Sequence, residues 1–487
     1  MILPRPKDRH HRQNPLTKEM GTIRRHAPVR IALGYPAAYK VAASSLGYQT
    51  MYRLLNSNES VVCERFFMPE NIPQSKDLLT AESDFPISRC ACIALSVACE
   101  TELLNVASLL IAAGMHPLSK ERRDNDPPVV IGGPITMVDP KLIAGMADAV
   151  VVGDGEEAAT ILCNSLTDQL TKSDFLKNLS MAGAGLWVPK IQLEPPDAAH
   201  APSSMLPAYA VTWSPDAELK DLFLVEVGRG CNRGCAFCVM SRRADSSCGF
   251  RQVGAKQILE TIPPDVPGVG LVGAAVTDHK EIENLVKTIV ARGQRVSLSS
   301  VRADRLTANL VESLVAGGLR TLTIAVDGSS QKLRRSINKG ITVDHLEQAV
   351  KLAVEADLKH LKVYSMIGLP SETDADIDEF ATLLLGFDKR LRISVAVQAF
   401  VPKPSTPMAS VPMEKISVIR KRLDRLKRQL KGRVKVMPTS PRWSWIDWKI
   451  ANSGMAASEI AYAAYLKGGN FAAWKTSIKE ILEIKIK

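Results

Sequence analysis

The chain has 487 residues, 46% of them hydrophobic and 23% charged, which supports two to four domains and excludes a disordered or membrane-embedded chain. A formal charge of +11 points to an anionic partner, and nine scattered cysteines exclude a small disulfide framework and suit a reducing compartment. No secretory leader pattern is present and no apolar run approaches the ~20 residues that span a bilayer, so a cytoplasmic protein without a membrane partner is expected.

Residues 1–28 carry Arg5, Lys7, Arg9, Arg12, Lys18, Arg24 and Arg25 against only Asp8 and Glu19. Their prolines and histidines argue against a helix, and they read as a basic mobile tail. From residue 29, short apolar runs alternate with helical patterns. Arg30–Gly34, Ile93–Val97, Val129–Ile131 and Ala149–Val152 read as buried strands, and Thr101–Ala113 reads as a helix. The last two strands run into Gly132-Gly133-Pro134 and Gly153-Asp154-Gly155-Glu156-Glu157. This alternation predicts a doubly wound parallel sheet over 29–185 that binds a ligand at the carboxyl ends of its strands. Cys63, Cys90, Cys92, Cys99 and Cys163 fall in this region and read as structural thiols. Residues 186–220 are rich in proline, lack periodicity, and read as a linker packed on the next domain.

The domain over 221–410 opens with the apolar strand Leu222–Val227. It leads into Gly230-Cys231-Asn232-Arg233-Gly234-Cys235-Ala236-Phe237-Cys238. Three thiolates can hold three irons of a cubane and leave the fourth open, whereas a closed [4Fe–4S] site takes four. The same residues alone also fit three core cysteines or an incomplete zinc site. Zinc knuckles usually show a second, distant C-x2-C pair, and none exists here. Cys248, ten residues further on, reads as a spectator or a hydrogen-atom donor. Beyond it, strands at Gly270–Ala275, Arg295–Val301, Thr321–Val326, His360–Ile367 and Ile393–Phe400 alternate with helices. With the strand before the cysteines they make six strand–helix units, which predicts a partial (β/α)6 barrel. Residues 411–487 read as a helical cap. Within it, Ile416, Ile419, Leu423, Leu426 and Leu430 share one helical face opposite a basic one.

The cysteine loop resembles the cluster motif of radical S-adenosylmethionine (SAM) enzymes, with Phe237 fitting that family's aromatic preference. The stretches Asn338–Thr342, Ile367–Thr373 and Phe400–Pro407 are similar to recurring signatures of the same superfamily. The pair GGP and GDGEE resembles the cobalamin-binding-like domain that precedes the barrel in its class B branch. The resemblance implies a Rossmann-like first domain, a radical SAM barrel and three cofactors: a [4Fe–4S] cluster, SAM and cobalamin. It places the cluster on Cys231, Cys235 and Cys238. By carry-over, SAM would meet Gly273 and Ala274, then Ser299, Ser300 and Arg302, with Asp327 and Gly368 completing its site. The Glu of the family's Gly-Gly-Glu segment is absent at Val272–Ala275, so backbone carbonyls would serve. Cobalamin would meet Gly132, Gly133, Gly153, Gly155 and Glu156. The family's Asp-x-His-x-x-Gly motif is missing from Tyr35–Ala42, which leaves Tyr39 and Lys40 as the polar groups below a corrin.

The implied activity is C-methylation: a 5′-deoxyadenosyl radical abstracts hydrogen from an unactivated carbon and methylcobalamin supplies the methyl group. The alternative is a cobalamin-free radical SAM enzyme performing rearrangement, cyclisation or methylthiolation. An external electron donor is implied as a partner, and a peptide or protein side chain as substrate. The C-terminal segment does not resemble the RNA-binding tail of methylthiotransferases, which weighs against nucleic acid.

Overall fold

A computed structural model describes residues 14–69, 78–166, 171–240 and 249–484. The first sheet contains β1 (Val29–Tyr35), β2 (Val61–Phe67), β3 (Cys92–Ser96), β4 (Val129–Gly132), β5 (Ala149–Val151) and β6 (Leu186–Trp187). Their order is β2-β1-β3-β4-β5-β6, parallel throughout except for β6. The order reverses between β1 and β3, which is where doubly wound sheets open a ligand crevice. The predicted sheet is therefore present, with two strands that the apolar pattern did not reveal. β2 is buried along its whole length, yet Glu64 and Arg65 interrupt its apolar run. β6 begins the stretch read as linker.

Arg65 is the reason β2 tolerates a charge. Its guanidinium meets Glu82 at 2.7 Å and Glu19 at 2.5 Å, and lies 4.2 Å above the Tyr52 ring. Burial pushes the Glu82 carboxyl up, against the pull of Arg65. Glu19 belongs to the stretch read as a mobile tail, and that reading is corrected for residues 14–28. Leu16 is buried, the Asn14 amide donates to the Ala81 carbonyl at 2.9 Å, and Met20 pairs with Trp213. The tail residues Arg5, Lys7, Arg9 and Arg12 lie outside the described residues.

The second domain contains β7 (Phe223–Glu226), β8 (Gly228–Arg229), β9 (Arg251–Gln252), β10 (Gly268–Val272), β11 (Arg295–Leu298), β12 (Thr321–Asp327), β13 (His360–Ile367), β14 (Arg392–Ala399) and β15 (Val434–Pro438). β7-β10-β11 and β12-β13-β14-β15 run in two parallel groups, joined by the bridge Val301 to Ile324. Outer helices cover one face, so the whole is a partial barrel. β15 is a seventh parallel strand beyond the six expected. Its lysine and its place after a basic helix hid it.

The C-terminal region is helical, as expected, but does not act only as a lid on the barrel. Ile416–Leu430 packs Ile419, Leu423, Leu426 and Leu430 on the barrel's outer core. Part of its basic face is spent internally, with Arg422 on Glu372 at 3.2 Å and Arg425 on Asp378 at 2.6 Å. The helices Pro441–Ala451, Ala456–Leu466 and Phe471–Ile484 turn back instead. Ile446, Ile450, Ala457, Ile460 and Trp474 share one core with the first sheet.

Where sheet, barrel and these helices meet, Glu100 pairs with Lys403 at 2.5 Å and Asp447 stands beside them. Burial, with Glu100 nearby, holds the Asp447 carboxyl up at about 6, and its Oδ1 is buried without a hydrogen-bond partner. A carboxyl raised on folding favours the folded state least when ionised. Its cost grows as pH rises from about 4 through 6 and reaches about 3 kcal/mol. Asp447→Asn is expected to raise the melting temperature at pH 8 and to leave it unchanged near pH 4, as calorimetry at the two pH values would show.

Candidate active site

The loop that follows β7 is fixed from three sides. β8 and β9 pair Gly228 with Gln252 and Arg229 with Arg251. Gly230 then turns at φ +82, and a Cβ there would lie 2.8 Å from the Gly249 carbonyl oxygen. Arg233 donates through Nε to Asp278 at 2.6 Å and through Nη2 to the same carboxylate, while Asp304 lies 3.4 Å from its Nη1. On the far side the Ala236 amide donates to the Ile337 carbonyl at 3.0 Å, and the Asn338 side-chain amide donates to the Gly234 carbonyl at 2.9 Å. Phe237 packs against Leu333, Ile337, Leu369 and Phe400. Cys235 is buried, and Cys231 and Cys238 are half-buried.

Burial pushes the Cys235 and Cys238 thiols up, and Lys339 and Arg302 pull Cys235 back down. Lys339 pairs with Asp327 at 2.5 Å, and Arg302 donates to the Lys339 carbonyl at 3.1 Å and to Asp304 at 2.9 Å. Two cations therefore stand beside the thiols. Among the described residues, no three His, Cys, Asp or Glu side chains are arranged to share one metal ion. Thiolates around a single zinc ion lie ~4 Å apart, whereas a cubane takes each on a different iron and spreads them further. Three cysteines flanked by cations fit an anionic cluster better than a lone ion.

The remaining barrel residues of the sequence reading fall at the carboxyl ends of neighbouring strands. Gly273 follows β10, and a Cβ there would lie 3.2 Å from the Gly228 carbonyl oxygen. Ala274 and Ser299 are exposed, Ser300 is half-buried, and Asp327 ends β12. Gly368 is different. It is buried after β13, with Ile419 of the outer helix 3.2 Å from where its Cβ would be. Its amide donates to Glu372 at 2.7 Å, which also accepts from Ser329 at 3.0 Å. Glu372 thus ties two strand-end turns together; it lies inside the Ile367–Thr373 signature, which does not single it out. Cys248 lies outside the described residues.

In the first domain a cavity of about 290 Å³ opens at the carboxyl ends of β1, β3, β4 and β5. It lies between the sheet and the helices Leu46–Leu55 and Glu156–Ser165. Gly132, Gly133, Gly153, Gly155 and Glu156 all line it, with Asp154, Met51 and Ala159. Gly153 has φ +92, and a Cβ there would sit 2.5 Å from the Ala199 carbonyl oxygen. Tyr39 and Lys40 do not line this cavity, which corrects their expected place. The Tyr39 hydroxyl donates to Glu19 at 2.8 Å in the interior, and Lys40 is exposed.

Arg229 closes the cavity from the barrel side and is the main residue that sequence reading missed. It meets Glu156 at 2.7 Å, Asp154 at 3.1 Å and Glu226 at 2.7 Å. Its position between two glycines, two residues before the first loop cysteine, was the available signal. The cavity and the cysteine loop are therefore joined by one guanidinium.

Residues 47–189 match the family described as radical SAM proteins, N-terminal, and residues 225–384 match the radical SAM superfamily. The chain belongs to the radical SAM superfamily. Membership implies a [4Fe–4S] cluster and SAM as cofactors. This radical SAM chain is 27% identical over 387 residues to an uncharacterised protein, MJ0966, of Methanocaldococcus jannaschii, covering 77% of this chain and 78% of that one. It is 27% identical over 293 residues to an uncharacterised methyltransferase, PH0819, of Pyrococcus horikoshii, covering 55% of this chain and 59% of that one. Among solved structures it resembles the radical SAM methyltransferase TsrM of Kitasatospora setae, determined with cobalamin and a [4Fe–4S] cluster bound. The TM-score is 0.56 at 14% identity, over 94% of this chain and 100% of that one. That likeness shows a shared fold over nearly the whole chain.

Proposed function

We propose that this chain is a cobalamin-dependent radical SAM C-methyltransferase. The observation that carries the reading is the cavity at the switch point of the first sheet, whose barrel side is lined by Arg229, two residues before the first loop cysteine. A cofactor held there would face the barrel's own site. The fold shared with the TsrM structure, which was determined with cobalamin bound, supports the reading. When bound, the cluster and SAM supply a radical that takes hydrogen from carbon, and cobalamin supplies the methyl group.

The residues of this chain have distinct tasks in that reading. Cys231, Cys235 and Cys238 hold the cluster, and Lys339 and Arg302 offset its charge. Ser299, Ser300 and Asp327 stand where the polar ends of SAM are oriented, and Gly273 and Ala274 offer backbone. Arg233 fixes the loop through Asp278, and Phe237 keeps water from its underside. Gly132, Gly133, Gly153 and Gly155 line the space a corrin would take, and their missing side chains let these turns pack against Val151, Val97, Ala199 and Met51. An external one-electron donor completes the system. The eight unbridged cysteines among the described residues suit a reducing cytoplasm. No helix among the described residues is long and apolar enough to cross a membrane.

Metal counting on anaerobically purified protein tests the reading. Four irons and one cobalt per chain support it. Four irons with no cobalt after incubation with cobalamin would overturn the methyltransferase assignment. A second variant separates the two sites. Ala159 is buried against the cavity, so Ala159→Phe fills it, at a cost of about 1–3 kcal/mol in stability. Cobalt content is expected to fall at least tenfold while iron content stays unchanged, as elemental analysis would show.

A further inference from the structure

The barrel strands alternate with period two, and their two faces differ in chemistry. Leu322, Ile324, Leu361, Val363 and Val395 lie buried beneath the outer helices. The opposite face is therefore the inner one. Parallel barrels usually fill that space with branched apolar side chains. Here one row across four strands, in register, reads Thr323, Lys362, Ser394 and Lys435. The row below it adds His360 and Arg392, and Arg295 begins β11. The acid at the top of this wall, Asp327, is already taken by Lys339 at 2.5 Å.

Lys362 and Lys435, like the half-buried Lys449 that lies 4.4 Å over the Trp448 ring, make no ion pair among the described residues, unlike three other lysines. Lys339, Lys403 and Lys172 each meet a carboxylate, at 2.5, 2.5 and 3.4 Å. Lys362 is half-buried and, among the described residues, lies 4.9 Å from the Tyr364 ring on the same inner face without an ion pair. Lys435 is exposed on that face, two strands across. Two strand spacings place their backbones about 10 Å apart, with Ser394 between them. Two long ammonium side chains can close on one anion over that span. Without an anion, neither has a carboxylate counter-charge among the described residues.

The row also has a defined depth. Four residues separate Lys362 from Met366 near the strand end, which is about 13 Å along β13. The cysteine loop lies at that end. We propose that the barrel takes a substrate with a carboxylate or phosphate group held by Lys362 and Lys435, with its reacting carbon about 13 Å further up. This rests on the reading of the barrel end as the radical site. It adds the substrate class to that reading.

The test uses wild-type holoenzyme with its cluster in place, kept anaerobic, and two probes: inorganic phosphate and decanoate. An amine-acylating reagent labels lysines, and peptide mass spectrometry gives the rate at each. Phosphate, decanoate or both are expected to slow labelling of Lys362 and Lys435 at least fivefold and to leave Lys256 and Lys351 unaffected. The probe is also expected to raise the melting temperature of the wild type but not of the K362Q/K435Q variant. Protection by decanoate alone assigns a carboxylate on a chain, and protection by phosphate alone assigns a phosphate ester. If neither probe protects either lysine, the proposal is overturned. Formation of 5′-deoxyadenosine by the wild type is measured alongside. Its absence would overturn the underlying assignment and would not touch the anion result.

Discussion

Cys235→Ala is expected to yield a folded protein that holds almost no iron and forms no 5′-deoxyadenosine from SAM. Cys235 is the most enclosed of the three loop cysteines, between the Arg233–Asp278 clamp and residues 333–338. Two thiolates cannot retain a cubane that needs three, so iron falls from about four per chain to near zero. The other thiols cannot step in. Cys90, Cys99 and Cys163 belong to the first domain and not to the loop, and burial holds them up at about 12, 11 and 11. Cys99→Ala is the matched control and should retain full iron and full SAM cleavage. The measurements are iron content, the cluster's visible absorption and 5′-deoxyadenosine by chromatography. A Cys235→Ala protein that kept four irons would remove the loop from its assigned role.

Arg229→Met is expected to be the most destabilising single change between the domains. The guanidinium is shared by Glu226, Glu156 and Asp154, and the first two are 6% and 4% exposed. Removing it leaves those carboxylates enclosed, with Arg251 3.6 Å from Asp154 and the Ala201 and Ala208 amides donating to Asp154 and Glu226 at 3.0 Å. Breaking a buried pair in this way costs about 3–5 kcal/mol. Denaturant titration should show a lower midpoint. Cobalamin binding should weaken as well, because the same guanidinium closes the cavity. Arg229→Lys keeps the charge but loses the two-pronged contact with Glu226, at 2.7 and 2.9 Å, and should recover only part of the loss. Equal midpoints for wild type and Arg229→Met would show that the ionic bridge contributes nothing to holding the domains together.

Much of this architecture could be read from local chemistry. The apolar runs of β1, β3, β4 and β5 are short and continuous, those of β1, β4 and β5 run into glycine, and the first sheet follows from that pattern. The loop cysteines carry their meaning in their spacing. What escaped was whatever depends on a distant partner. β2 hides behind Glu64 and Arg65, whose charges are sensible only once Glu19 and Glu82 are beside them. Residues 14–28 look unstructured until Glu19 is seen as the counter-charge of Arg65. Tyr39 lies in the loop where the missing Asp-x-His-x-x-Gly motif would sit, which suggests a cofactor contact, but its hydroxyl is already committed to Glu19. Arg229 and Glu372 each organise several turns, and no periodicity marks a residue that works by touching three others.

The return of the last three helices to the first domain bears on how the protein is made. The helix Leu103–Ala112 is apolar on nearly every side because the sheet covers one face and the helix Ala456–Leu466 the other. A ribosome that has just finished β6 has about 250 more residues to add before Pro441 emerges. At about 5–20 residues per second that takes roughly 10–50 seconds. Throughout that interval the oldest part of the nascent chain carries a helix with one greasy side open to water. Its birth thus calls for a holding chaperone or a slow, dilute start, well before any metal reaches the loop.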